Sequence, residues 1–357
     1  MVSSMATPQR PVTITVGDPM PRIVLPAAGG SLFDSWDQTV GGRVHVYWLG
    51  DPLAASAAEQ LAAALANLET ELHVVGSTPP ASSGNGALWL LDPSNELRRA
   101  VAATGSCAVV VDAAGRLAAL IQAPTPGGIV ALATQLFEAS APTVTQAQAP
   151  VLLLDKVVEA SLCDALIDHW RRGEKLSDGV ASAAGASTAN ADTKRRIDVP
   201  VDDAKLYMPL RDCLVRRVMP AILQVFQTRI VQIEMPRVGC YDAGSGGWFR
   251  RHRDNTTRYT AHRQFALSIN LNAAEDYDGG EVRFPEFGRQ LYRPPAGGAV
   301  VFSCGLLHEV VPVTRGRRFG VFTFLHDQSR DAQYRQMNAE QKARGAAGIR
   351  MRGTAGG

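Results

Sequence analysis

The first 140 residues alternate between short apolar runs and stretches with helical periodicity. Apolar runs bounded by turn-forming residues predict buried strands at 43–50, 71–75, 87–92 and 107–112. Apolar positions at helical spacing predict helices at 54–68, 95–103 and 127–140. The sequence DAAGR, in which Gly115 can adopt a positive φ, predicts a hairpin into a fifth strand at 117–123. Strands and helices in alternation, closed by a hairpin and a helix, predict an α/β layer.

The pattern changes at 138–150, a run rich in Ala, Pro, Thr and Gln without sustained apolar periodicity. Beyond it, amphipathic helices are predicted at 161–173 and 211–227. From Arg229 onward, short β-type runs separated by Gly, Pro and Asn predict an antiparallel sandwich. We therefore predict an α+β chain: a C-terminal double-stranded β-helix (jelly roll) with flanking helices, preceded by an N-terminal α/β domain.

These changes in pattern give the predicted domain boundaries. They are a flexible N-terminus at 1–10, the α/β domain at 11–140, a linker at 141–150, the jelly-roll domain at 151–328 and a C-terminal tail at 329–357. Two domains of ordinary size suit a chain of 357 residues.

Composition and charge narrow the class of protein. Apolar residues make up 46% of the chain, which excludes global disorder, and a net charge of +2 is too small to require a nucleic acid or a membrane surface as partner. The N-terminus lacks the apolar core of a signal peptide, and no segment approaches the roughly 20 apolar residues that span a bilayer. We therefore expect a cytoplasmic protein. The five cysteines are scattered and unpaired at CxxC spacing, which argues against a disulfide framework and a structural zinc site.

The stretch WFRRHRDN, Trp248–Asn255, is the first with candidate chemistry. HRD is a signature of the protein-kinase catalytic loop, but that loop needs an Asn five residues after the Asp, where this chain has Tyr259. No DFG follows and no Gly-rich phosphate loop precedes. The kinase interpretation is therefore rejected.

A metal site is the alternative interpretation of the same stretch. Residues two apart on a strand point to one face, so His252 and Asp254 can share an ion while Arg253 points away. A 2-His-1-carboxylate iron site needs a second histidine. His308 supplies one, 56 residues after His252 and just beyond an apolar strand. A purely structural role for these residues stays open as the alternative.

Arg318 follows His308 by ten residues, at the start of the next predicted strand. Three protein ligands leave positions on iron that the keto oxygen and C1 carboxylate of a 2-keto acid can fill, and its far carboxylate then needs a cation. Arginine suits this because its planar guanidinium binds a carboxylate bidentately and stays charged when buried. Strand alternation would send Arg317 to the opposite face. Of the other histidines, His262 is expected to be solvated or to face a substrate, and His326 to be structural.

With these residues in place, the C-terminal half resembles the prolyl 4-hydroxylase branch of the iron(II)/2-oxoglutarate dioxygenases. The resemblance rests on CYDAGSGGWFRRHRDN, ALSINLN, YDGGEVRFPEFG, PPAGGAVVFSCGLLHEVVPVTRGRRFGVFTFL and LCDALIDHW, in the family's order across about residues 151–327. It implies that His252, Asp254 and His308 ligate iron(II). It also implies that Arg318 anchors the C5 carboxylate of 2-oxoglutarate.

The resemblance implies further groups and cofactors. The Tyr241 hydroxyl is expected to reach the same carboxylate, and Asn270 to contact the cosubstrate. The implied cofactors are Fe(II), 2-oxoglutarate as cosubstrate and O2, with ascorbate as reductant. No catalytic residue beyond the metal and cosubstrate ligands is implied.

The implied activity is hydroxylation of an unactivated C–H bond of a prolyl residue in a peptide or protein, with release of succinate and CO2. Two alternatives remain: a hydroxylase of a free amino acid or other small molecule, and a catalytically silent metal-binding scaffold. An Arg-rich rim around the metal pair either receives an acidic group of the substrate or is solvated; it comprises Arg250, Arg251, Arg253, Arg258 and Arg263.

The N-terminal part resembles peroxiredoxins through VGDPMPRIVLPAAGG, YWLGDP and VVVDAAGRLAALI, and is therefore expected to be a thioredoxin-like domain. Peroxiredoxins place a nucleophilic cysteine after the second strand, at the start of a helix whose dipole lowers its pKa. Here GDPLAASAAE offers Ser56 at best, so no peroxide chemistry is expected. Binding a protein partner or a packing role is expected, and a redox role for Cys107 is the alternative.

Overall fold

The computed structural model describes residues 13–37, 40–49, 53–80, 86–139, 144–145, 147–177, 180–181, 187–188, 193–336 and 339. The chain separates into two compact units, Met1–Val144 and Thr145–Gly357. The predicted flexible N-terminus at 1–10 lies outside the described residues. Most of the predicted tail at 329–357 also lies outside them, but residues 328–336 are helical.

The N-terminal unit is built on one five-stranded sheet. Its helices are α1 (Ala55–Ala66), α2 (Glu96–Ala100) and α3 (Pro126–Ala139), and its strands are β1 (Val24–Pro26), β2 (Leu32–Asp34), β3 (Val44–Leu49), β4 (Thr70–Gly76), β5 (Leu88–Leu91), β6 (Cys107–Val111) and β7 (Leu117–Gln122). The sheet order is β5-β4-β3-β6-β7, parallel among β3, β4 and β5 and antiparallel at β6 and β7. The predicted strands and helices are confirmed. The thioredoxin-like assignment stays a prediction.

Both faces of this sheet are covered. All six residues of β3, VHVYWL, are buried because alternate side chains enter two different cores. Val46 and Trp48 pack with residues of α1 and α3, whereas Tyr47 packs with Phe33 of the β1–β2 hairpin.

The N-terminal unit offers no accessible thiolate in its described part. Cys107 is fully buried on β6, and burial raises the pKa of its thiol. Ser56 lies in the first turn of α1. These positions argue against the redox role, and the partner-binding role stays a prediction.

The C-terminal unit begins with helices and continues mainly as strands. Its helices are α4 (Ala160–Arg172), α5 (Ala204–Cys213) and α6 (Met219–Phe226), with a π-helical turn at Leu214–Val218 joining the last two. Its strands are β8 (Leu152–Leu154), β9 (Leu176–Ser177), β10 (Val180–Ala181), β11 (Ser187–Thr188), β12 (Lys194–Arg195), β13 (Ile197–Pro200), β14 (Ile230–Ile233), β15 (Arg237–Asp242), β16 (Trp248–His252), β17 (Phe265–Asn270), β18 (Tyr277–Gly279), β19 (Val282–Arg283), β20 (Leu291–Tyr292), β21 (Ala299–Ser303), β22 (His308–Val310) and β23 (Val313–Asp327).

These strands form two antiparallel sheets. The larger has the order β8-β21-β17-β23-β15-β13-β9, and the smaller has the order β12-β16-β22-β19-β20. Strands β14 and β18 also pair with β23, and β10 pairs with β11. Apolar residues of β19 and β20 pack with those of β17 and β21, so the two sheets enclose a core between them. The predicted jelly roll with flanking helices is therefore confirmed. Within the described ranges, no helix is long and apolar enough to cross a membrane.

The long strand β23 divides its side chains between two environments. Phe319 and Val321 join the core beneath α4, α5 and α6. Phe322 instead packs on the inner face, with Tyr241 of β15. Because side chains alternate along a strand, Arg318 belongs to this inner face as well. The larger sheet thus presents a polar group inside the sandwich.

A buried ion cluster holds the loop between β16 and β17 against β23. Glu234 accepts hydrogen bonds from His262 Nε2 at 2.8 Å and from Arg263 Nε and Nη2 at 2.8 and 2.9 Å. The Arg263 guanidinium lies 3.7 Å from the Phe324 ring centroid. His262 is therefore buried and paired, and the expectation that it is solvated or faces a substrate is wrong.

This cluster makes stability depend on pH. Burial raises the pKa of Glu234, but the bonds from His262 and Arg263 outweigh burial and lower it from near 4.5 to about 2. A depressed carboxyl pKa contributes stability that is complete above about pH 4.5 and is lost as the pH falls toward about 2.

We predict that Glu234→Gln destabilises the C-terminal unit more at pH 6 than at pH 3, by about 2 kcal/mol. Urea unfolding of both proteins at the two pH values measures this difference. Other carboxyl groups titrate equally in both proteins, so they cancel. An equal destabilisation at both pH values would contradict the assignment.

Candidate functional site

Two histidines face each other across the smaller sheet. Strands β16 and β22 pair antiparallel with His252 directly opposite His308, and the imidazole centroids are 4.2 Å apart. Strand β21 ends at Ser303, and His308 opens β22 after a short turn. Side chains directly opposite each other on paired strands lie close enough to bind one ion together.

A β-bulge sets the direction of His252. The register of β16 shifts between Phe249 and His252. Strict alternation would place residues three apart on opposite faces, but the bulge stacks the two rings, with centroids 3.7 Å apart. Bulges redirect side chains in this way. The Phe249 ring therefore limits the rotation of His252.

Asp254 joins the histidines from a turn. We expected His252 and Asp254 on one strand, but β16 ends at His252, so that expectation is wrong for Asp254. The Asp254 backbone N–H donates to the Cys304 carbonyl at 3.0 Å, which holds the turn in place. Asp254 Oδ1 lies 3.3 Å from His252 Nε2, and Oδ2 lies 3.5 Å from His308 Nε2.

Arg253 points away from the cluster, as predicted. Its Nη2 donates to Glu286 Oε1 at 2.6 Å, and its Nη1 donates to the Gly305 carbonyl. The residue between the two candidate ligands therefore fixes the outer side of the turn.

The remaining ring nitrogens are held by backbone carbonyls. His252 Nδ1 is 2.7 Å from the Arg250 carbonyl oxygen, and His308 Nδ1 is 3.0 Å from the Leu306 carbonyl oxygen. A carbonyl only accepts, so each Nδ1 carries a proton and Nε2 is the nitrogen that faces the cluster and can bind a metal ion. The ligand atoms of the two histidines and Asp254 all lie within 4.8 Å of one another. Such an arrangement fits a divalent transition-metal ion.

Burial and charge act together on the protonation of this cluster. Burial raises the pKa of Asp254, but His308 and His252 outweigh burial, so the pKa lies below its ordinary value. Burial lowers the pKa of His308. Burial therefore favours a neutral His308 beside an ionised Asp254, and these are the protonation states that bind metal.

A buried guanidinium lies on the inner face of the larger sheet. Arg318 is 2% exposed. Its Nε donates to Asn270 Oδ1 at 3.0 Å, its Nη1 to the Gly280 carbonyl at 2.7 Å and its Nη2 to the Ser268 hydroxyl at 3.1 Å. All three partners are neutral. No carboxylate oxygen in the described part of the chain lies within 4.0 Å of this guanidinium. Because an uncompensated buried charge is costly, the position is suited to an anionic ligand.

Strand alternation separates Arg318 from its neighbour, as predicted. Arg317 is 60% exposed, and its Nε donates to Asp242 Oδ2 at 2.6 Å. Arg318 lies inside β23 rather than at the start of a strand, because the strand already begins at Val313. In the β15–β23 register it stands opposite Tyr241.

Asn270 lies behind the guanidinium. Its Oδ1 accepts the Arg318 bond, and its Nδ2 donates to the Tyr277 hydroxyl at 2.8 Å and to the Pro294 carbonyl at 2.7 Å. Asn270 thus connects Arg318 to the surrounding core and orients it.

Tyr241 is fully buried beside a second arginine that sequence reasoning missed. The Tyr241 hydroxyl accepts a bond from Arg196 Nη1 at 3.3 Å. Asp198 accepts bonds from Arg196 at 2.6 and 2.7 Å and from Lys194 at 3.2 Å. The Arg196 guanidinium also lies 4.0 Å from the Phe322 ring centroid. The only sequence signal was an Arg-x-Asp spacing, which is too common to identify a site.

The Arg-rich rim is largely engaged in ion pairs. Arg251 donates to Glu309 at 3.0 Å, and Arg253 and Arg263 have the carboxylate partners described above. Arg250 lies over the Trp248 ring, 5.6 Å from its centroid. Three of the five rim arginines therefore stabilise the surrounding loops through carboxylates.

Comparison with known proteins places this site in the matched region. The family profile described as "2OG-Fe(II) oxygenase superfamily" matches residues 236–326. A PKHD-type hydroxylase of Paracoccus denitrificans (strain Pd 1222) is 32% identical over 173 residues, 46% of this chain and 75% of the relative. One of Synechococcus sp. (strain JA-2-3B'a(2-13)) is 34% identical over 105 residues, 28% of this chain and 46% of the relative. The chain therefore spans about half the length of this relative.

The comparison with solved structures gave matches at low sequence identity. A prolyl hydroxylase from Trichoplax adhaerens, in complex with a hypoxia inducible factor oxygen degradation domain peptide fragment, has a TM-score of 0.43 and 17% sequence identity. The alignment covers 52% of this chain and 87% of that chain.

We predict that His252→Ala and His308→Ala each weaken binding of a divalent transition metal by more than the roughly 10–100-fold caused by loss of an outer hydrogen-bond partner. Anaerobic titration with Fe(II), or with Mn(II) in its place, measures the affinity. Arg251→Ala changes an exposed residue beside His252 and should retain wild-type affinity. Unchanged affinity in both histidine variants would contradict the assignment.

Proposed function

The chain belongs to the 2OG-Fe(II) oxygenase superfamily through its C-terminal unit, and on that premise we propose that it is an iron(II)- and 2-oxoglutarate-dependent dioxygenase. The observation that carries the proposal is the uncompensated guanidinium of Arg318 in the same sandwich as a converging His–Asp–His cluster. The cluster supplies a metal site, and Arg318 supplies a position for a ligand carboxylate.

Each chain residue then has a distinct role. His252, Asp254 and His308 hold iron(II), and their outer hydrogen bonds orient them. Arg318 and the Tyr241 hydroxyl bind the C5 carboxylate of 2-oxoglutarate, and Asn270 orients Arg318 for this contact. These groups require no rearrangement of charge when the cosubstrate enters, because the cation is already in place.

The chemistry supplied by bound iron(II), 2-oxoglutarate and O2 is the conversion of 2-oxoglutarate to succinate and CO2, coupled to hydroxylation of a substrate C–H bond. Aromatic rings cover part of each histidine. Phe249 stacks on His252, and the Phe302 ring lies 4.7 Å from that of His308. Ascorbate serves as the reductant that keeps iron in its ferrous state.

We extend the proposal to a prolyl residue of a peptide or protein as the substrate. The resemblance of the C-terminal segments to prolyl 4-hydroxylases supports this choice.

The first expected outcome concerns turnover. Wild-type protein with Fe(II) and ascorbate should convert 2-oxoglutarate to succinate, and His252→Ala or Asp254→Ala should abolish this release. Succinate is measured by mass spectrometry, with Arg251→Ala as the active control. Wild-type turnover in either ligand variant would overturn the iron assignment. A folded wild-type protein that binds iron but consumes no 2-oxoglutarate would instead favour the inert scaffold.

The second expected outcome concerns the cosubstrate anchor. Arg318→Met keeps a long side chain but removes the guanidinium. Because charge-assisted hydrogen bonds to the C5 carboxylate are then lost, KM for 2-oxoglutarate should rise about 10–100-fold. Arg317→Met, the same substitution one residue away on the outer face, should leave KM unchanged. Equal KM values in both variants would remove Arg318 from the site.

The substrate proposal is tested with peptide and amino-acid libraries. Prolyl peptides should gain the mass of one oxygen atom in the presence of 2-oxoglutarate, and Asp254→Ala should give no such product. Oxygen gain confined to free amino acids would refute the peptide substrate while leaving the dioxygenase assignment intact.

A further inference from the structure

The N-terminal unit contains a second cluster of metal-ligating side chains. His45 lies on β3, and Glu71 and His73 lie on the neighbouring parallel strand β4. The register pairs His45 with Glu71 and Tyr47 with His73, so alternation places all three candidate ligands on one face. Their ligand atoms lie within 4.8 Å of one another.

The separations suit a single ion. His45 Nδ1 and His73 Nε2 are 3.0 Å apart and share a hydrogen bond that a bound ion would replace, and Glu71 Oε2 is 3.7 Å and 3.9 Å from these two nitrogens. Ligand atoms that are each about 2.1 Å from a tetrahedral ion lie about 3.4 Å apart. Shifts of about half an ångström would therefore bring the three atoms onto one ion. The two longer distances exceed hydrogen-bond range, so Oε2 faces the imidazoles without bonding to them.

Outer contacts orient two of the three ligands. His45 Nε2 is 3.0 Å from the Val40 carbonyl oxygen, which only accepts, so His45 carries its proton on Nε2 and presents a lone pair on Nδ1. Arg43 Nη1 donates to Glu71 Oε1 at 2.7 Å, which leaves Oε2 for the cluster. Hydrogen bonds of this kind orient the ligands of metal sites.

His73 is buried with an unsatisfied nitrogen. It is 1% exposed, and its Nδ1 has no hydrogen-bond partner among the described residues. The Phe33 and Tyr47 rings pack on it, each with a centroid distance of 4.8 Å. The atom that faces the cluster is Nε2, and a neutral imidazole that binds an ion through Nε2 carries its proton on Nδ1.

We propose that His45, Glu71 and His73 bind Zn2+ or a divalent ion of similar chemistry, at a site separate from the cluster of the C-terminal unit. Two imidazoles and one carboxylate suit Zn2+, whereas Mg2+ and Ca2+ prefer oxygen ligands throughout. Solvent reaches the cluster on the side of Glu71, whose side chain is 33% exposed, and can supply a fourth ligand. The ion would tie β3 to β4. The scattered cysteines argued against a structural zinc site, but this cluster uses none of them.

The test uses the full chain with the C-terminal cluster disabled by His252→Ala and His308→Ala. Competition with a chromophoric chelator should detect one equivalent of Zn2+ in this background. Adding Glu71→Gln or His45→Gln should weaken binding at least about 10–100-fold. His169→Ala is the matched control, because His169 bonds the Pro200 carbonyl and belongs to neither cluster. It should retain the full equivalent.

Two further readouts separate loss of binding from loss of folding. Zn2+ should raise the unfolding temperature of the background protein but not that of its Glu71→Gln derivative, which keeps the side-chain shape. Co2+ in place of Zn2+ should give the intense visible absorption of tetrahedral coordination. Absence of stoichiometric Zn2+ in the folded background, or binding that survives both added substitutions, would overturn the proposal. Every protein in the series lacks the C-terminal cluster, so the outcome is independent of the proposed dioxygenase activity.

Discussion

A positive charge that the described residues leave uncompensated dominates the C-terminal unit. Arg318 occupies an inner position of β23, where a leucine would serve packing without the cost of burying a guanidinium. Ser268, Asn270 and the Gly280 carbonyl satisfy its N–H groups but contribute no negative charge. The sandwich is therefore arranged to keep a cation oriented in a dry interior, which is an arrangement for binding an anion and a poor one for stability alone.

The neighbouring Arg196 is also a buried guanidinium, but it is paired with a carboxylate of the chain. Asp198 meets its guanidinium with two contacts, and aromatic rings cover its face. Arg196 therefore has a carboxylate partner within the chain, which Lys194 shares at 3.2 Å, whereas Arg318 has none among the described residues. Two buried arginines thus lie near Tyr241. Arg196 is paired with a carboxylate and has a structural role, whereas Arg318 has only neutral partners and is the one suited to binding a ligand carboxylate.

Much of the C-terminal site follows from the sequence, because the ligands and their flanking apolar runs are local features. His252, His308 and Arg318 needed only residue type, order and spacing. The bulge at Phe249 and the turn that carries Asp254 did not follow, since both depend on cross-strand register. Strand alternation correctly predicted that Asp254 lies beside His252, but Asp254 reaches that position from a turn and not from the strand.

Register also explains why the N-terminal cluster escaped sequence reasoning. His45 on β3 and His73 on β4 meet only because two parallel strands pair with His45 beside Glu71. No motif records that pairing. Each of the two clusters contains two imidazoles and one carboxylate, but the surroundings of the two clusters differ. The C-terminal cluster shares its sandwich with an unpaired guanidinium, which suits chemistry on an anionic cosubstrate. The N-terminal cluster is packed beneath Phe33 and Tyr47, which suits a structural ion.

The central claim is that one sandwich holds iron(II) and 2-oxoglutarate together, and visible absorption tests it most directly. A keto acid that chelates iron(II) through its keto oxygen and C1 carboxylate produces a charge-transfer band that neither component gives alone. Under anaerobic conditions, the protein with iron(II) should develop this band on addition of 2-oxoglutarate and saturate at one equivalent. A folded protein that binds iron(II) but develops no band at any 2-oxoglutarate concentration would contradict the account.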